Sequence, residues 1–297
     1  MRCASTRWPP STRGCSAHER TGARRTAHRP LCARGPQAAR AGEPAGLAIV
    51  RVGGDPASAR YAQSLARAAE AVGVRATAVD LPDSLDEAGL RASLEALNED
   101  EAIHGVLMQL PLPPHLSQRV VAETLDPRKD VDGISLRSAG SLFLRQPSFV
   151  PSTCAAVLEI LDRSDIAIAG ERAVVVGASN VVGKPLAFML LHRDATVTVS
   201  HSATRDLAAQ THAASILVVA VGKPGLITAD MVRPGATVVD VGTTVTENGE
   251  LVGDVDYAGV SQVAGAITPV PGGVGQLTNL MLLKQTLLAQ AQDYETL

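Results

Sequence analysis

The chain has 297 residues, 45% hydrophobic and 2% aromatic, with a formal net charge of −3. That length allows one large or two ordinary domains around an aliphatic core. The slight negative charge gives no footprint for nucleic acid, and no apolar run reaches the ~20 residues of a membrane span. The charge is uneven: residues 1–45 hold nine Arg against two Glu, together with Cys3, Cys15, Cys32 and the single Trp8. They lack hydrophobic periodicity and the continuous apolar stretch of a secretory signal. The segment is expected to be a disordered or mis-started extension, with an organelle-targeting peptide as the alternative. No Cys-x-x-Cys pair occurs, and Cys154 stands alone outside the leader. We therefore expect no metal, no disulfide and a reducing, cytoplasmic setting.

Gly46-Leu-Ala-Ile-Val-Arg-Val-Gly53 reads as a first strand, followed by a turn at Gly54-Asp-Pro56. A helix follows, because Ala62, Leu65, Ala66, Ala69 and Val72 recur at helical spacing. Residues 76–81 read as a second strand. Ser84 with Glu87 three residues on has the form of a capping box for a helix to about Asn98. Residues 105–111 give a third strand, closed by Pro111-Leu-Pro-Pro114, which can continue neither element. A short helix over 117–125, a functional loop over 126–150 and a helix over 153–161 complete the first half.

The alternation restarts at Arg172-Ala-Val-Val-Val-Gly-Ala-Ser-Asn-Val-Val-Gly-Lys-Pro185. An apolar run ends abruptly at Gly177, and Pro185 suits the first turn of a helix. A strand, a glycine turn and a helix start aim free backbone N–H groups at an anion. We read this stretch as the pyrophosphate cradle of a dinucleotide site. Its spacing is G-x-S-x-x-x-G-x-P, not G-x-G-x-x-G, and an ordinary strand-to-helix turn is the alternative. Strands over 195–200, 216–222 and 236–242 alternate with helices over 205–214 and 229–232, and a last helix runs to about Tyr294. The alternation predicts an α/β fold with a doubly wound parallel sheet.

Several motifs now stand in one order: Val52-Gly-Gly-Asp-Pro-Ala-Ser58 with Tyr61, Gln109-Leu-Pro-Leu-Pro113, Lys129-Asp-Val-Asp-Gly133, Gly177-Ala-Ser179 with Val182-Gly-Lys-Pro185, Asp240-Val-Gly242, Gly253-Asp-Val255, and Thr268-Pro-Val-Pro-Gly-Gly-Val-Gly275 with Thr278. With these the chain resembles the FolD family, the bifunctional methylenetetrahydrofolate dehydrogenases and methenyltetrahydrofolate cyclohydrolases. The resemblance implies two α/β domains around a cleft. The folate-binding domain would take residues 46–150, completed by 270–297, and a Rossmann-like NADP domain would take 151–269. It also implies a homodimer and a small folate substrate, oxidised at its methylene carbon by NADP and then hydrolysed to the 10-formyl compound.

The same resemblance implies roles for single residues. Tyr61 would lie along the folate, Gln109 with Leu110 and Pro111 would meet its reacting part, and Asp132 would grip the pterin N–H groups. Pro271, Gly272 and Gly273 would line the folate. Gly177, Ala178, Ser179 and Gly183 would face the cofactor phosphates, with Ala178 where many members carry arginine. Thr243 would meet the nicotinamide. His201 and Ser202, and Arg205 beyond them, follow a strand without a terminal acid, which leans towards NADP over NAD.

Four positions depart from the pattern. Leu65 stands where the family carries a catalytic lysine, one helical turn after Tyr61, and Arg67 lies on another face. The hydrolytic step needs a positioned acid–base group, so cyclohydrolase activity is expected to be severely weakened, while hydride transfer depends more on holding two rings together. Pro151-Ser-Thr-Cys154 replaces a Pro-Cys-Thr-Pro stretch, Gln276 replaces a proline, and the opening helix before Gly46 is not recognisable. The competing readings are a non-catalytic folate- and NADP-binding homologue and an unrelated nicotinamide dehydrogenase.

Overall fold

Alternate residues of β1 (Ala45–Val52) enter two different cores, and this sets the first lobe. The computed structural model describes residues 43–293; residues 1–42 of the leader and the end of the last helix at Tyr294 lie outside them, and Ala45, expected to end the leader, begins β1. Leu47 and Ile49 face α1 (Pro56–Ala71) through Ala62, Leu65 and Ala69. Ala48 and Val50 face the other way, onto Leu90 and Leu94 of α2 (Glu87–Glu99) and Val120 and Val121 of α3 (Gln118–Thr124). With β2 (Val74–Leu81) and β3 (Gly105–Met108), β1 forms a parallel sheet of order β2-β1-β3. A strand covered on both faces explains the unbroken apolar run in its sequence.

Two expectations in this lobe are corrected. The cap of α2 is Asp86, which accepts from the Gly89 backbone N–H at 2.8 Å, and not Ser84. Residues 126–150 are not mostly loop: they hold α4 (Leu136–Phe143), capped by Ser135 through the Ser138 N–H at 3.1 Å. Eight residues are too few for helical periodicity to stand out.

After α5 (Ser152–Arg163), the second sheet is built from β4 (Arg172–Val176), β5 (Thr196–Ser200), β6 (Ile216–Val219), β7 (Thr237–Asp240) and the later β10 (Ala266–Ile267). All pairs are parallel, in the order β10-β7-β6-β4-β5. Between the strands come α6 (Gly183–Leu191), α7 (Leu207–His212) and a 3-10 turn at Ala229–Met231. The sequence did not signal the hairpin of β8 (Thr244–Val245) and β9 (Leu251–Val252), α8 (Tyr257–Val260) or β10, all four residues or shorter. The chain thus forms the two α/β lobes with parallel sheets that were expected. Leaving β4, it crosses to β5 on one side and to β6 on the other, so a crevice opens at the carboxyl end of β4, where doubly wound sheets bind ligands.

The last helix, α9 (Val274–Ala291), serves both lobes. Val274, Leu277 and Met281 join the core under the second sheet, and Leu282, Leu283, Leu288 and Ala289 close the core of the first. Among the described residues no helix is long and apolar enough to cross a membrane.

Candidate active site

The first lobe carries a cluster at the carboxyl ends of β1 and β3. Asp55 starts α1 by accepting the N–H and hydroxyl of Ser58 at 2.8 and 2.9 Å, ahead of Pro56 at the first helical position. This fixes the entry of α1 and presents Tyr61 a turn and a half later, 38% exposed. Burial pushes the Tyr61 phenol up to about 12, with the charge of Asp132 adding to the shift, so the two side chains are electrostatic neighbours. Gln109 follows β3, its backbone N–H donating to Val50 O at 2.9 Å, and the chain then turns through a cis peptide at Leu110–Pro111. Its side-chain Nε2 is buried and has no hydrogen-bond partner in the protein. A buried donor without an acceptor costs about 1–3 kcal/mol, which a ligand acceptor would recover.

The acids of Lys129-Asp-Val-Asp132 divide the work. Lys129 donates to Leu97 O at 3.0 Å and Asp100 O at 2.7 Å, closing the end of α2. Asp130 is fully buried and accepts from the Ile134 and Ser135 N–H groups at 3.0 and 2.8 Å, holding its own loop. Asp132 is half-buried and accepts from the Ser152 N–H at 3.0 Å. Burial raises its carboxyl to about 6, against the Ser152 bonds, and the Asp130 charge adds to the rise. Cys154 is buried against the same carboxylate; desolvation first, then the Asp132 charge, raises its thiol.

Leu65 is wholly buried, in one core with Leu47, Ile49, Leu282 and Leu283. It fills the space between sheet and helices.

The second lobe carries the glycine turn. Gly177 has φ +126°, and a methyl group there would overlap Ala220 O, so only glycine lets β4 end against β6 in this way. Gly183, buried, opens α6 directly over Gly177. Ser179 Oγ accepts from the Val182 and Gly183 N–H groups at 3.1 and 3.3 Å, at the start of α6. Only its hydroxyl proton is left to offer. Ala178 adjoins it, half-buried.

At the end of β5, His201 and Ser202 are exposed. His201 Nδ1 accepts from the Ala203 N–H at 3.2 Å, and its backbone N–H donates to Thr204 Oγ1 at 2.8 Å. Ser200 Oγ is buried without a protein partner. The nearby acid, Asp206, is engaged in capping α7 through the Ala209 N–H at 3.1 Å.

The sequence reading missed two buried locks. Asp254 is fully buried and accepts from three consecutive backbone N–H groups, Val221 at 2.7 Å, Gly222 at 2.9 Å and Lys223 at 2.7 Å. Asp240 accepts from Gly242 at 2.9 Å, Asp254 at 3.0 Å and Val255 at 3.0 Å. Together they fix the loops after β6 and β7, including exposed Thr243. The acid–glycine pairs Asp240-Val-Gly242 and Gly253-Asp254 were the available signal. Between the lobes, Pro271 and Gly272 are exposed and Gly273 is half-buried at the start of α9.

Residues 24–132 match the family model for the tetrahydrofolate dehydrogenase/cyclohydrolase catalytic domain, and residues 151–294 match the NAD(P)-binding domain of the same family. The first match begins inside the arginine-rich leader. The bifunctional protein FolD of Bordetella avium (strain 197N) is 52% identical over 244 residues, 82% of this chain and 86% of that protein. That of Roseiflexus castenholzii (strain DSM 13941 / HLO8) is 52% identical over 82% of this chain and 84% of its own length. Among solved structures, the bifunctional enzyme FolD of Campylobacter jejuni superposes with a TM-score of 0.82 at 41% identity, covering 84% of this chain and 89% of that one. The Trypanosoma brucei FolD, solved with NADP cofactor and an inhibitor, gives 0.80 at 40% identity over 85% and 88%. The chain belongs to the tetrahydrofolate dehydrogenase/cyclohydrolase family.

Proposed function

We propose that the protein is an NADP-dependent 5,10-methylenetetrahydrofolate dehydrogenase whose methenyltetrahydrofolate cyclohydrolase step is weak. The observation that carries the folate reading is the buried, unpartnered Nε2 of Gln109, at the sheet edge where Tyr61 also emerges. Asp132, mostly ionised at neutral pH, accepts from the pterin amino and ring N–H groups, a charge-assisted contact. Tyr61 offers a flat face and a phenol that stays protonated. NADP, when bound there, would supply the hydride acceptor. The Gly177–Gly183 turn would hold its pyrophosphate, with the Ser179 hydroxyl proton as a donor, and the exposed His201, Ser202 and Arg205 would receive a 2′-phosphate, since no free acid stands at the end of β5 to clasp a 2′-hydroxyl.

The weak hydrolytic step rests on Leu65, which offers no proton donor and lies in the core. An absent acid–base group costs ~10²–10⁴ in rate. A single absorbance assay separates the readings. Methylenetetrahydrofolate and NADP should yield NADPH, with slow decay of the methenyl signal. Prompt decay overturns the hydrolase claim, and no NADPH overturns the dehydrogenase claim.

We also propose a cytoplasmic homodimer. The dimer is supported by exposed apolar side chains on elements that pack on one another: Leu136, Phe143 and Leu144 around α4, Leu191 of α6 and Val199 on edge strand β5, with Phe143 meeting Phe188 of α6 edge-on at 5.1 Å.

A further inference from the structure

A glutamine sits in the middle of the apolar face of α9. Gln285 is 2% exposed, among the leucines that close the first core. Burying an amide there is unfavourable unless every polar atom is matched. It is matched, on two stretches of chain more than 130 residues away. Oε1 accepts from the Val150 N–H at 3.0 Å; Nε2 donates to Val150 O at 2.9 Å and Val131 O at 2.9 Å, with Ser152 Oγ at 3.2 Å. The amide pairs with both polar atoms of Val150 as a neighbouring strand would. The same contacts bring Val131 and Ser152 together, and Ser152 also donates its hydroxyl to Val131 O at 3.4 Å.

We propose that Gln285 is a positioning residue for Asp132: by holding Val131 O on one side and residues 150–152 on the other, it places the Ser152 N–H on the Asp132 carboxylate and aims that carboxylate at the folate. This rests on the reading of Asp132 as the pterin acceptor. An apolar residue of equal volume would fill the core as well but would leave Val131 O and both polar atoms of Val150 without these partners. The groups that face Asp132 are Tyr61 from α1, Asp130 from its own loop, and Ser152 and Cys154 from α5. None is a cation, so Ser152, through its N–H and its hydroxyl, steadies the ionised form.

The test is tetrahydrofolate affinity, which needs no turnover. Gln285→Met keeps volume and loses the amide. It should raise the tetrahydrofolate Kd about tenfold and leave the NADP Kd within about twofold. The acid limb of tetrahydrofolate binding should move to higher pH, because Asp132 loses a bond to its charged form. Ser152→Pro is a second route if the first variant does not fold. It deletes both the N–H and the hydroxyl that Ser152 offers Asp132, at the first position of α5, behind Pro151 whose ψ of 125° tolerates a following proline. It should reproduce the weakened binding, and the two changes combined should weaken it no further. Unchanged tetrahydrofolate binding in a folded Gln285→Met protein, or equal losses for both ligands without a pH shift, overturns the proposal. Wild-type protein that binds no tetrahydrofolate overturns the folate reading and this inference with it; binding by wild type and variant alike overturns only the role of Gln285.

Discussion

Gly253 lies directly against Asp240: a methyl group on its Cα would overlap Oδ2 of the carboxylate and reach within 2.9 Å of Val270 Cγ2. That carboxylate binds three backbone N–H groups, so it cannot swing aside without abandoning them. Gly253→Ala should therefore destabilise the protein by about 1–3 kcal/mol, the usual cost of overpacking, seen as a Tm lower by several degrees. An unchanged Tm would mean that the loops around Asp240 are softer than this packing implies.

Asp254 uses both oxygens on the loop after β6. Asp254→Asn turns one acceptor into a donor facing N–H groups and should cost about 1–3 kcal/mol. Because that loop borders the crevice at the end of β4, NADP binding should weaken while tetrahydrofolate binding holds. Titration of each ligand alone checks this, and equal weakening of both would refute the local reading.

Asp132 makes a prediction about pH. Its carboxyl rises from 3.8 unfolded to about 6 folded. The folded state thus binds the proton more tightly; the stability tied to this group is complete below about pH 4 and declines as pH rises through 6. Asp132→Asn removes the dependence. Relative to wild type it should gain on the order of 1–3 kcal/mol at pH 7.5 and nothing at pH 4. Urea unfolding at the two pH values measures it, and a constant difference would contradict the shift.

Leu65→Ala should lose about 2–5 kcal/mol, because a wholly buried leucine leaves a cavity. Per folded molecule, dehydrogenase turnover should change little. Leu65→Lys must carry an ammonium out of the core to the cleft; if it folds, methenyl hydrolysis should rise. A Leu65→Ala protein as stable as wild type would show that this helix face is not packed.

Phe143→Asp with Leu191→Asp should turn a dimer into monomers in sedimentation, with each protomer still folded. Wild-type protein that sediments as a monomer would remove the case for this surface.

Much of this arrangement was legible in the sequence. The long apolar strands β1 and β4 declared themselves because burial on both faces leaves no polar interruption. Ser117 stands at the start of its helix as expected, whereas Pro56, expected in a turn, already belongs to α1. Between Ser84 and Asp86, composition could not choose, since both cap well and the choice depends on where Gly89 falls. Ser179 reads as phosphate-facing in sequence, and the two backbone N–H groups its Oγ also accepts leave no mark in the spacing. Gln285 was invisible: its partners, Val131 and Val150, contribute backbone atoms, which carry no residue-specific mark. Leu65 could be recognised as a departure, but its place in the core required the packing of α9.

That packing has a consequence for synthesis. Leu282, Leu283 and Leu288 cover a sheet whose strands begin near residue 45 and end at Met108. Until the ribosome has released nearly the whole polypeptide, the core between α1 and that sheet is only partly covered, and some of its leucines and isoleucines face water. The earliest-made half is therefore the last to mature, and a nascent chain stalled before α9 is a natural client for holding chaperones.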